Sequence, residues 1–94
     1  MAHWQIEWAP RGFRDLSKQE KLVQKHILDD FDRLAETSAF PPPPKVKPLK
    51  GFKGVYRLRT GDYRSIFEVS GQKIIVLRVI NRKDLEKTLS NLPS

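Results

Sequence analysis

The stretch Val55-Tyr56-Arg57-Leu58-Arg59-Thr60-Gly61-Asp62-Tyr63-Arg64-Ser65-Ile66-Phe67-Glu68-Val69 decides the architecture. Side chains along a strand alternate between two faces, so Tyr56 and Leu58 share one side, and Val55, Arg57 and Arg59 share the other. Thr60-Gly61-Asp62 reads as a turn. After it Tyr63, Phe67 and Val69 form an apolar set, with Arg64, Ile66 and Glu68 opposite. A hairpin loop of Arg59 to Asp62, pairing Leu58 with Tyr63, puts Arg57 beside Arg64. Burying the aromatic side exposes the arginines together.

Downstream, Ser70-Gly71-Gln72 reads as a second turn and Ile74 to Ile80 as a third strand, apolar on both faces. A turn that pairs Phe67 with Ile75 brings Arg78 next to Arg64, and Arg82 follows on the same side. Arg57, Arg59, Arg64, Arg78 and Arg82 then crowd one sheet face, with Lys45, Lys47, Lys50 and Lys53 on the entering loop. Like charges placed opposite one another destabilise a sheet, and only Glu68, Asp84 and Glu86 lie within reach to compensate. Such a face suits phosphate, which arginine recognises through two parallel hydrogen bonds.

Upstream, Trp4-Gln5-Ile6-Glu7-Trp8 alternates as a strand with one buried side, ended by Pro10. A short helical piece follows over Pro10 to Leu16, with Phe13 and Leu16 one turn apart. Ser17-Lys18-Gln19-Glu20 has the form of a capping box for a longer helix. Leu22, Val23, Ile27, Phe31 and Leu34 make the apolar stripe of that helix, which stops near Thr37. The prolines at 41–44 act as a stiff extended connector. Phe40 followed by these prolines also has the form of a proline-rich ligand, the lesser of the two readings. At the other end Leu85, Leu89 and Leu92 predict a short amphipathic helix that Pro93 ends. The expected fold is α+β: an N-terminal strand and two helices packed on a mainly antiparallel four-stranded sheet, then a short C-terminal helix, all as one domain over residues 1–94.

Composition narrows the chemistry. The chain has 94 residues, no cysteine and a formal net charge of +7. Residues 1–44 carry six Lys or Arg against seven Asp or Glu, whereas residues 45–94 carry twelve against four. All the excess charge lies in the second half, a distribution that suits a polyanionic partner. Without cysteine there is neither a disulfide framework nor a Cys-rich zinc site. No apolar run approaches the roughly 20 residues needed to cross a bilayer, so the expected setting is the cytoplasm, away from membranes. His3 and His26 have no partner triad, and helical spacing splits Asp29, Asp30 and Asp32 between faces; no metal site is expected. Trp4 and Trp8 read as core or dimer-contact residues rather than base-stacking platforms.

Three runs of this chain closely resemble the RelE/ParE toxin superfamily of toxin-antitoxin systems. They are Val46-Lys47-Pro48-Leu49-Lys50-Gly51, the hairpin stretch from Gly54 to Val69, and Val76-Leu77-Arg78-Val79-Ile80-Asn81-Arg82-Lys83-Asp84. The resemblance implies a microbial RNase fold and, in its RelE branch, a ribosome-dependent endoribonuclease that cuts messenger RNA in the A site. There the substrate's own 2′-OH attacks the adjacent phosphate without a metal or other cofactor. Carried over by position, the catalytic cations are Arg57, Arg59, Arg64 and Arg82; Lys47, Lys50, Lys53, Arg78 and Lys83, on or beside the same basic face, are expected to bind RNA. A cognate antitoxin with acidic, helical segments is implied as partner.

Two positions depart from many relatives. A histidine before the last arginine and a tyrosine four residues after it are replaced by Asn81 and Glu86. Arginine stays protonated and is a poor base, so proton removal from the 2′-OH falls to another group, to water or to the ribosome. Glu86 is read as that base or, preferably, as a helix-surface carboxylate paired with Lys83 or Lys87. The alternative is a ParE-like toxin, a non-enzymatic inhibitor of DNA gyrase. A non-catalytic RNA- or DNA-binding module is the third class.

Overall fold

The computed structural model describes residues 4–36, 45–85 and 87. The prolines at 41–44, His3, Glu86 and most of the expected C-terminal helix lie outside these residues. In chain order the elements are β1 (Gln5–Trp8), α1 (Pro10–Ser17), α2 (Lys21–Ala35), β2 (Val46–Pro48), β3 (Val55–Thr60), β4 (Tyr63–Ser70) and β5 (Lys73–Asn81). A single 3₁₀ turn over Arg82–Asp84 follows β5. The strands form one sheet in the order β1-β5-β4-β3-β2, with β1 parallel to β5 and every other pair antiparallel.

The alternation in Trp4 to Trp8 does produce a strand, and the following Pro10 occupies the first turn of α1, where its missing N–H has no helical partner to lose. Ser17 is not a cap. It is still helical, its hydroxyl donates to the Arg14 carbonyl at 2.9 Å, and Glu20 stands at the start of α2 without a side-chain cap. The Gln24 side-chain amide instead closes the junction, its Nε2 donating to the Gln19 carbonyl at 2.8 Å.

On one side of the sheet α2 inserts Ile27, Phe31 and Leu34 among Leu58, Phe67, Val76 and Val79, all buried. Each such side chain contributes roughly 1.5–3 kcal/mol through the apolar area it removes from water. A ladder of rings crosses the layer. Trp8 meets Phe31 edge-on with centroids 5.6 Å apart, Phe31 meets Phe67 edge-on at 5.8 Å, and Tyr56 stacks on Phe67 at 5.8 Å. Leu22 and Phe13, expected on the apolar stripes, point to water instead.

The opposite face divides in two. Leu49, Ile66 and Ile80 are buried there, with Phe52, Val55, Leu77 and Leu85 packed against them. The segment after β2 and the start of the C-terminal segment thus cover half of this face, and the half next to the β3–β4 turn is left to the basic residues.

Three features differ from expectation. The sheet has a fifth strand, because Val46–Pro48 pairs with Leu58 to Tyr56 instead of remaining a loop. The β3–β4 turn is tighter: Thr60 pairs with Tyr63, and Gly61 takes a left-handed φ of 58° that a side chain would resist. Arg59, not Arg57, therefore faces Arg64, and Arg57 faces Ile66. In β5 an irregularity opposite Ile66/Phe67 shifts the register, so that Phe67 pairs with Val76 rather than Ile75, and Ile66 with Arg78.

Candidate nucleic-acid interface

Lys47 on β2 lies opposite Arg57 on β3, and Arg59 at the end of β3 lies opposite Arg64 at the start of β4. These are two like-charge cross-strand pairs side by side, an arrangement that costs about as much as an opposite-charge pair contributes, roughly 0.2–1 kcal/mol each. Lys45, Lys47, Arg57, Arg59 and Arg64 together line a pocket of about 170 Å³. It is large enough for a phosphodiester group.

Backbone contacts hold the pocket's rim. The Arg59 amide donates to the Lys45 carbonyl at 2.9 Å, extending the β2–β3 pairing past Val46. The Arg82 amide donates to the Asp62 carbonyl at 2.8 Å and fastens the 3₁₀ turn to the tip of the β3–β4 hairpin. That bond brings the Arg82 side chain into the electrostatic neighbourhood of Arg64. Arg64 itself is steadied by the chain it belongs to, its guanidinium donating to the carbonyls of Gly61 at 2.8 Å and Tyr63 at 3.1 Å.

None of Arg57, Arg59, Arg64 and Arg82 forms an ion pair among the described residues. The pKa of the Arg64 guanidinium lies below its ordinary value, first because burial disfavours the charged form and then because Arg57, Arg59 and Arg82 repel it; Asp62 offsets part of this. Arginine nevertheless remains charged at neutral pH. The result is a set of mutually repelling cations that an anion would relieve, positioned before the anion arrives.

The remaining residues singled out from sequence fall into three groups. Lys50 and Lys53 are exposed on the segment between β2 and β3, and Lys83 is exposed on the 3₁₀ turn. Arg78 is not beside Arg64. It donates through Nε to Asp15 of α1 at 2.7 Å, and the same carboxylate accepts the Val79 amide at 3.0 Å. The carboxylate thereby takes up a β5 N–H beyond the reach of β1, whose pairing ends at Val76, so Arg78 serves the helix–sheet joint. Asn81 accepts the Lys83 amide at 3.0 Å as the cap of the 3₁₀ turn.

Two residues escaped sequence reasoning. Asp62 is the carboxylate whose field reaches Arg64, rather than Glu68, which is opposite Val55. Asp30 of α2 is buried and accepts three side-chain bonds, from Thr60 at 2.7 Å, Lys45 at 2.9 Å and Arg33 at 3.1 Å. Its signal in the sequence was one acid at a core position of an amphipathic stripe. Among the described residues no group of three or more His, Asp or Glu side chains is placed to hold a metal ion, and no helix is long and apolar enough to cross a membrane. Trp4 and Trp8 pack against the helix-side core.

Residues 6–86 match the family described as the ParE toxin of type II toxin-antitoxin systems, parDE. The chain belongs to this toxin family. In the RelB-RelE antitoxin-toxin complex from Methanococcus jannaschii, a solved chain superposes with a TM-score of 0.72 and 27% identity, covering 87% of this chain and 96% of that one. The archaeal RelE-RelB complex from Pyrococcus horikoshii OT3 gives a TM-score of 0.70 at 24% identity, over 87% and 97% of the two chains. A curated relative, Toxin RelE3 from Methanocaldococcus jannaschii, is 45% identical over 40 residues, which are 43% of this chain and 46% of the relative. The match therefore spans less than half of that relative's length. The toxin fold is thus RelE-like, and its five-stranded sheet carries the basic pocket at the β2–β3–β4 end.

Proposed function

We propose that this chain is the toxin of a type II toxin-antitoxin pair and acts as an endoribonuclease on messenger RNA held by the ribosome. The observation that carries this reading is the convergence of Arg57, Arg59 and Arg64 on one pocket without an ion pair among the described residues, with Arg82 close enough to be felt electrostatically. Attack by a ribose 2′-OH on the adjacent phosphate builds negative charge on the phosphorane oxygens and on the departing 5′ oxygen. Guanidinium groups already aimed at that position stabilise the charge more in the transition state than in the ground state. Arg64, tied back to Gly61 and Tyr63, is the best restrained of them. The products are a 2′,3′-cyclic phosphate and a 5′-hydroxyl end.

The protein supplies binding, orientation and charge stabilisation, and the ribosome, which fixes the messenger RNA, supplies the in-line geometry. The side chain of Asn81 already serves as a cap, so it is no substitute for the histidine of relatives. A cognate antitoxin is the natural regulator, since the two archaeal neighbours described above are toxin-antitoxin complexes; acidic segments would complement the basic pocket.

A ParE-like inhibitor of DNA gyrase is the second reading, favoured by the family match itself and by the absence of an acid–base side chain at Asn81. One paired experiment separates the two. Purified chain is added to a reconstituted translation reaction, where messenger 5′ ends are mapped by primer extension, and to a gyrase supercoiling assay. Codon-phased cuts with normal supercoiling are expected; intact messenger with blocked supercoiling would replace the first reading by the second.

A further inference from the structure

We propose that Lys45 is a phosphate-binding residue of the basic pocket, with its ammonium held at the rim by the buried Asp30. This rests on reading the pocket as a site for an RNA backbone. Lys45 lies just before β2 and lines two adjacent cavities. One is the basic pocket with Lys47, Arg57, Arg59 and Arg64. The other, about 280 Å³, includes Asp30, Arg33 and Thr60. Its ammonium is 2.9 Å from Asp30 Oδ1, while 45% of the side chain remains exposed. An ammonium has three N–H donors, and Asp30 takes one.

The charge balance around Asp30 makes Lys45 more than a counter-ion. Asp30 is also paired with Arg33 at 3.1 Å and accepts the Thr60 hydroxyl at 2.7 Å. Asp29, which lines the same cavity, is paired with Lys25 at 3.4 Å, so Asp30 alone faces the two cations Arg33 and Lys45 and a unit of positive charge is left over beside the pocket. Lys45 is also coupled to the pocket by the main chain, because its carbonyl accepts the Arg59 amide. Asp30 and Thr60 thus fix the two chain segments, the start of β2 and the end of β3, from which Lys45 and Arg59 project. A long lysine side chain loses considerable conformational freedom on binding a ligand, and restraint before binding reduces that loss.

The test is the salt dependence of binding to a fluorescent single-stranded oligouridylate, followed by anisotropy across a potassium chloride series. Each phosphate contact in a single strand contributes about 0.7 to the slope of log K against log salt. Lys45→Met keeps the stem and removes the charge, and the slope should fall by about 0.7. Because that substitution leaves Asp30 with less compensation, the double variant Asp30→Asn, Lys45→Met is measured as well; it removes both charges while an amide oxygen can still accept from Thr60. It should melt near the wild-type temperature and show the same reduced slope. Lys18→Met, on the helical half of the chain, should leave the slope unchanged. A well-folded double variant with the wild-type slope would show that Lys45 only neutralises Asp30 and overturn the assignment alone. Salt-independent or absent binding by the wild type would overturn the RNA-backbone reading of the pocket, and the role of Lys45 with it.

Discussion

Arg59 and Arg64 are direct cross-strand partners at the mouth of the β3–β4 hairpin, two guanidinium groups carried on the same sheet face one residue in from the Thr60–Tyr63 pair that closes the turn. A sheet selected for stability alone would place opposite charges there. Replacing Arg64 by Gln should therefore raise the melting temperature while weakening RNA binding. Relief of one like-charge pair is worth about 0.2–1 kcal/mol, or a few degrees in a domain of this size. Differential scanning calorimetry and anisotropy on the same preparation test both halves; a lower melting temperature would mean that Arg64 is compensated in the free protein.

The same repulsion predicts stabilisation by ligand. A short oligophosphate, which places several anionic groups on the pocket, should raise the melting temperature in proportion to the logarithm of its concentration once above its dissociation constant. The shift should disappear in an Arg57→Gln, Arg64→Gln variant. An equal shift in wild type and variant would place the anion elsewhere.

Asp15 should matter for stability and not for binding. Its carboxylate accepts both Arg78 Nε and the Val79 amide, and the Arg78 and Asp15 side chains are only 17% and 16% exposed. Removing one member of such a half-buried pair leaves the other charge poorly solvated, and Asp15→Ala should cost about 2–4 kcal/mol in urea unfolding. The salt slope for RNA should stay at the wild-type value, because Arg78 belongs to the joint between α1 and β5. A reduced slope in a well-folded Asp15→Asn variant would return Arg78 to the RNA surface.

Gly12 and Ser65 offer opposite outcomes in the core. A Cβ on Gly12 would overlap the Val76 carbonyl oxygen, backbone that cannot yield cheaply, so Gly12→Ala should destabilise by about 1–3 kcal/mol despite the better helix propensity of alanine. The Ser65 hydroxyl is fully buried on β4 with no hydrogen-bond partner among the described residues. Ser65→Ala should stabilise by about 1 kcal/mol or be neutral, as removing an unmet polar group usually does. Chemical denaturation of the two variants side by side checks both signs.

The faces of the hairpin were legible in the sequence because alternation is local: Tyr56, Leu58, Tyr63 and Phe67 lie on the helix side, and Arg57, Arg59 and Arg64 on the other. The hairpin register was not legible, since loop length depends on the conformation of Gly61. Tightening the loop moved the pairing by two residues, which changes partners but preserves faces. Strand β2 was hidden by its shortness and by Pro48, a residue tolerated at a sheet edge but a poor strand signal. The true place of Arg78 depended on the β5 irregularity and on Asp15, 63 residues away in sequence. Asp30 was equally out of reach, because its partners Lys45, just before β2, and Thr60, at the end of β3, are brought to it only by the folded chain.

The most direct measurement of the central claim is end-group analysis of messenger RNA from a translation reaction containing the wild-type chain or Arg64→Ala. The wild type should yield 3′ fragments with 5′-hydroxyl ends and 5′ fragments closed by a 2′,3′-cyclic phosphate, and the variant, folded to the same circular dichroism spectrum, should yield neither. Undiminished cutting by the variant, or 5′-phosphate ends from the wild type, would contradict catalysis by the arginine pocket.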